Sequence, residues 1–135
     1  MHGSSVTASR YTRLVDREGF VSGDLEIVSV AEVEALLAAG TPVFSEGETA
    51  FAFATSDPAR RLAARLAAKR AAIRLLGPGV GLCDVEIDRR AGGSPVLVLS
   101  PRASAALERL GANRCLVSLT HERRHAAASV VLLST

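Results

Sequence analysis

Residues 61–77 read RLAARLAAKRAAIRLLG, and the way this stretch winds decides the rest of the chain. At about 100° per residue, Leu62, Leu66, Ile73 and Leu76 fall on one face of a helix. Lys69 falls in the middle of that face, and Arg70 and Arg74 lie one turn apart on its flank. Lys69 is the only lysine beside fifteen arginines. A lysine facing a core either snorkels to the rim or meets an acceptor, because an unpaired buried ammonium is costly. The spacing leaves both readings open, an amphipathic stem that reaches the rim or a phosphate or carboxylate partner in a cleft.

Upstream, Asp57 supplies an N-cap and Pro58 the first helical position, so the long helix runs from there to Leu76, where GPGVG (77–81) breaks it. Before it, GDLEIVSV (23–30) has the β-branched content of a strand and runs into a helix over 31–40. SEGE (45–48) is a capping-box pattern that opens a short helix. After the break, CDVEIDR (83–89) and VLVLS (96–100) read as strands around an AGGSP turn. Ser100 and Pro101 start a further helix through Leu110. CLVSLTH (115–121) and HAAASVVLLS (125–134) form a hairpin around Glu122, Arg123 and Arg124. The expected class is α+β, a mostly antiparallel sheet packed with a long helix. The expected organisation is one domain over 21–135 behind a flexible arm, 1–20.

Apolar residues make up 48% of the chain and charged ones 22%, the balance of a globular domain. No apolar run approaches the roughly 20 residues of a membrane span, and the N-terminus lacks a secretory h-region, so a cytoplasmic protein is expected. A net charge of +2 argues against a general nucleic-acid binder. Six of the sixteen basic residues nevertheless lie between Arg60 and Arg74, a clustering that suits a small polyanion. Cys83 and Cys115 form no zinc pattern and are expected to be reduced and buried.

Several motifs occur in register. After the first strand comes FSEGE (44–48), then the helix RLAARLAAKRAAIRLLG, then GPGVG, DVEI (84–87), GGSP (92–95) and finally SLTHERRHAAA (118–128). In this order they resemble the AcpS-type holo-acyl-carrier-protein synthases, the small 4′-phosphopantetheinyl transferases. The resemblance covers residues 23–134. It implies a compact α+β fold and a homotrimer with clefts between subunits. It also implies coenzyme A as substrate, Mg²⁺ held by a strand carboxylate and a helix glutamate, and an acyl carrier protein whose serine attacks the β-phosphate. Carried over by position, Lys69, Arg65 and His121 match the motif lysine, arginine and final-strand histidine, and Arg74 stands for the second motif lysine. Lys69, Arg74 and Glu26 are thereby the catalytic candidates. Arg65, Lys69, Arg70, Arg74 and His121 are the candidates for holding coenzyme A.

Three positions depart from the pattern. Arg70 stands where the family glutamate binds magnesium, and a cation cannot ligate a cation. Arg74 can hold a phosphate but does not readily give up a proton. The strand carboxylate is Glu26 when counted without a gap and Asp24 with a two-residue slip. The helix that would meet an acidic carrier protein carries Glu32 and Glu34, and there is no Arg or Lys from 23 to 59. The expected function is a family member whose magnesium site is degenerate and whose transferase activity is weakened, lost or repurposed. The alternatives are an active holo-acyl-carrier-protein synthase of fatty acid or polyketide biosynthesis and an enzyme that takes a different anionic substrate in the same cleft.

Overall fold

The computed structural model describes residues 19–90 and 92–135. Of the arm expected at 1–20, residues 1–18 lie outside the described residues. Gly19 and Phe20 already belong to the domain: the Gly19 carbonyl accepts from Ser134 N at 2.7 Å, and Phe20 opens the first strand.

The elements follow in the order β1 (Phe20–Ser29), α1 (Val30–Ala38), α2 (Glu46–Phe53), α3 (Pro58–Leu76), β2 (Val85–Arg89), β3 (Pro95–Leu99), α4 (Pro101–Arg109), β4 (Arg114–His121) and β5 (His125–Leu133). The α+β expectation holds, and the starts read at Ser45, Asp57 and Ser100 are capped there, while Ser29, which the sequence reading does not single out, caps α1. Ser29, Ser45, Asp57 and Ser100 each accept from a backbone N–H of the first turn, and Ser45 and Glu48 form the reciprocal box. Gly77, at φ +95°, ends α3 in a conformation that a side chain would strain.

Two antiparallel sheets form, β1-β5-β4 and β2-β3. In the larger sheet, Val28, Ala126, Ala128, Val130 and Leu132 are buried on one face. That face meets α3, whose Leu62, Leu66, Ala67, Ala68, Ala71 and Ala72 are sealed. α3 is buried nearly all round its middle because α1, α2 and β2 cover its other sides. Its many alanines let those elements approach closely.

On the opposite face of the larger sheet, the register puts Leu25, Ser129 and Ser118 in one row, and Gly23, Val131 and Leu116 in another. Leu25, Ile27 and Leu116 are all exposed there. The cysteines depart from expectation. Cys83 is exposed, on a single 3₁₀ turn before β2, whereas Cys115 on β4 is half-buried and burial pushes its thiol up.

Candidate functional site

α3 carries every cationic site residue the sequence singled out except His121, and its turns send them to three different places. Arg65 and Lys69, one turn apart, point into the interior with 2% and 1% of their surface exposed. Arg70 and Arg74 point to the edge where β1 runs past.

Lys69 finds a carboxylate. Its Nζ donates to Glu48 Oε1 at 2.9 Å, and Glu48 is itself 1% exposed. The same carboxylate accepts from Ser45 N at 2.9 Å and, through Oε2, from Ile87 N at 2.7 Å. A residue read from sequence only as half of a capping box thus ties α2, α3 and β2 together. The resemblance expects Lys69 among the phosphate ligands; here its ammonium is spent on a buried ion pair.

At the α3–β1 edge, the two arginines meet three carboxylates. Arg74 Nε donates to Asp24 Oδ2 at 2.7 Å, and its Nη2 lies 3.0 Å from Glu26 Oε1. Arg70 pairs with Glu32 of α1 and reaches Glu26 Oε2 at 3.9 Å. Asp24 and Glu26, two apart on the strand, share a face, and both reach Arg74. The Arg74 bond holds the Asp24 carboxyl below its ordinary value, the Arg70 bond does the same for Glu32, and Asp24 in turn raises Arg74. Two positive charges against three negative ones leave this network at −1.

This donor set does not fit a divalent cation. Each carboxylate oxygen aimed at the α3 edge already faces a guanidinium, and no group of three or more His, Cys, Asp or Glu able to hold a metal converges among the described residues. The network also offers no free charge to an anion.

Among the described residues, Arg61 and Arg65, nearer the start of α3, have no ion-pair partner. Arg61 and Arg65 share a cleft of about 270 Å³ with Arg89 of β2 and with Thr120 and His121 at the end of β4. Arg65 and His121, expected together, are together. Arg61 was visible only as one of a basic cluster, and Arg89 was missed because nothing local to DVEIDRR says which way β2 turns. Burial, then the like charge of Arg89, brings the Arg65 guanidinium down to about 10, so it stays charged at neutral pH. Burial first, then Arg61 and Arg60, lowers His121 from its ordinary 6.5. His121 of the free protein should therefore titrate below 6.5, following its ring protons by NMR. A value above that would mean that an acidic group, not the arginines, dominates the cleft.

No protein-family model matches the chain. Individual proteins do. A holo-[acyl-carrier-protein] synthase of Anaeromyxobacter dehalogenans strain 2CP-1 is 41% identical over 122 residues, which span 82% of this chain and 94% of the relative. The solved acyl carrier protein synthase of Mycobacterium tuberculosis is 32% identical with a TM-score of 0.66, covering 87% of this chain and all of that one. The Helicobacter pylori synthase, solved in complex with coenzyme A, shares the fold at a TM-score of 0.70 and 21% identity, over 82% of this chain and 99% of that one.

Proposed function

Because the chain belongs to the holo-[acyl-carrier-protein] synthase family of 4′-phosphopantetheinyl transferases, we propose that it retains the phosphate-binding half of such a site and has lost the metal-binding half. It then binds coenzyme A or a related nucleotide, while magnesium-assisted transfer to a carrier-protein serine is weakened or absent. The observation that carries this reading is that Arg70, which the motif resemblance aligns with the family's metal-binding glutamate, engages Glu32 and Glu26.

Phosphoryl transfer depends on positioning and on neutralising the charge of the transferring group. The arginine cleft around Arg65 and His121 can position a phosphate. The α3–β1 network, at −1, does not neutralise a pyrophosphate, and Arg74 is a poor proton donor to a leaving group. A guanidinium at position 70 would substitute for the ion's charge only if it were free, and its carboxylate partners cancel it.

The uncovered face of the larger sheet, with Leu25, Ile27 and Leu116, supports the homotrimer. The carrier protein docks less well than the family pattern implies, since α1 offers Glu34 to it and only Glu32 is neutralised by an arginine.

Calorimetry with coenzyme A and with adenosine 3′,5′-bisphosphate should give the same affinity in EDTA as in millimolar magnesium. Incubation of an apo carrier protein with coenzyme A, magnesium and the protein should leave the carrier mass unchanged over times in which an intact synthase converts it. A second reading, a working holo-acyl-carrier-protein synthase, is favoured by the 41% identity across nearly the whole of a protein so named. Magnesium-dependent binding together with full conversion of the carrier decides for it.

A further inference from the structure

Beyond the arginine cleft, the β4–β5 tip and the start of α1 form a second basic surface. Glu122, Arg123, Arg124 and His125 at this tip are all exposed. The turn is nonetheless fixed in shape. Glu122 N donates to the His125 carbonyl at 2.8 Å, and the Glu122 carboxylate accepts from Arg124 N. The Arg124 carbonyl accepts from Val30 N at 2.8 Å, which ties the tip to the first residue of α1. The other oxygen of Glu122 lies 3.7 Å from the His125 ring. Among the described residues no carboxylate comes within ion-pair distance of Arg123 or Arg124. Two guanidinium groups are therefore presented on a held turn without a counter-charge.

These arginines border a groove of about 430 Å³ whose other wall is the N-terminal half of α1, with Val30, Ala31 and Glu34. A compact anion gains little here, because exposed guanidinium groups leave it hydrated. A nucleic-acid strand, charged along its whole length, meets Glu34 as well as the arginines. A protein helix with carboxylates at one end of a face fits better. Its carboxylates accept from Arg123 and Arg124, and a small apolar side chain lies on Val30 and Ala31. Glu34 repels a further carboxylate and so fixes which way round the helix lies. The N-terminus of α1 adds partial positive charge on the same side. The rest of α1 does not serve, since its exposed residues are Ala31, Glu34, Ala35 and Ala38, without a cation.

We propose that Arg123 and Arg124 receive an acidic helix of the carrier protein, so that this chain docks its partner on the β4–β5 tip rather than along α1. The inference rests on the reading of the chain as a relative of proteins that act on an acyl carrier protein; it adds which surface meets that partner. A tip already held by backbone hydrogen bonds loses little freedom on docking.

The test measures binding of an apo acyl carrier protein to the full chain at low salt, by surface plasmon resonance. Wild type should bind it, with an affinity that falls as salt is raised. Arg123→Gln with Arg124→Gln leaves the backbone bonds of the turn in place. It should weaken binding by about tenfold, chiefly through slower association, and flatten the salt dependence. Glu34→Gln should tighten binding by about threefold. Arg102→Gln with Arg109→Gln removes the same charge from the exposed side of α4 and should change nothing. An unchanged affinity in the tip variant overturns the docking surface, as does an equal loss in the α4 variant. A wild type that binds no carrier at low salt overturns it too, as does one that binds duplex DNA more tightly through the same arginines. Coenzyme A calorimetry separates the two readings. If coenzyme A binds while the tip variant holds the carrier as wild type does, the docking surface falls and the nucleotide reading stands. If coenzyme A does not bind but the carrier does, in a way that needs Arg123 and Arg124, the docking surface stands and the nucleotide reading falls.

Discussion

Replacing Lys69 with methionine should destabilise the fold by about 3–5 kcal/mol, measured by chemical denaturation, because it leaves the Glu48 carboxylate charged and sealed in the interior. The side chains of the pair are 2% and 0% exposed, so no solvent reaches Glu48 to replace the ammonium. The backbone N–H groups of Ser45 and Ile87 remain as donors, and they moderate the loss without supplying a charge. The double variant Lys69→Met, Glu48→Leu should regain most of the lost stability, since exchanging both ions for packed apolar groups is often neutral or better. Phenyl phosphate affinity should be nearly unchanged in Lys69→Met if the lysine is structural. A loss under 1 kcal/mol together with a collapse of phosphate binding would return Lys69 to the phosphate site.

Arg70→Glu should reverse the character of the α3–β1 edge. With one arginine left against four carboxylates, the network changes from −1 to −3. Without a divalent cation, that repulsion should lower the melting temperature. With millimolar magnesium or manganese it should recover, because carboxylates that repel one another are what a hard cation needs. Wild type should show no such metal-dependent shift. If the fold is otherwise intact, the substitution should also raise magnesium-dependent transfer to an apo carrier by on the order of 10²-fold, the scale of one well-placed electrostatic stabiliser. A variant whose stability and activity ignore divalent cations would show that more than the ligand at position 70 has been lost.

The two substitutions act on neighbouring residues of one helix and differ in kind because a helix turns about 100° between them. Lys69 enters the core and meets α2, while Arg70 leaves it and meets β1 and α1. The sequence placed Lys69 on the inward face and Arg70 on the flank by counting alone. It could not say that the inward acceptor is Glu48, twenty-one residues away on a different helix. Glu48 had a sufficient local explanation as the N3 residue of a capping box, so nothing in FSEGE asked for a second partner.

Local rules carried the elements of the fold. The caps at Ser45, Asp57 and Ser100 and the stop at Gly77 are nearest-neighbour effects, and a chain shows these as soon as it is read. The motif order carried the family and with it Arg65 and His121. What only the tertiary structure decided is where charges end up relative to one another. Glu32 neutralises Arg70, Asp24 and Glu26 share Arg74, and the Phe51 ring meets both Arg65 and Arg89. Each pairing joins elements far apart in the chain, and Coulomb energies and desolvation depend on separation and burial in space, which the order of residues does not encode.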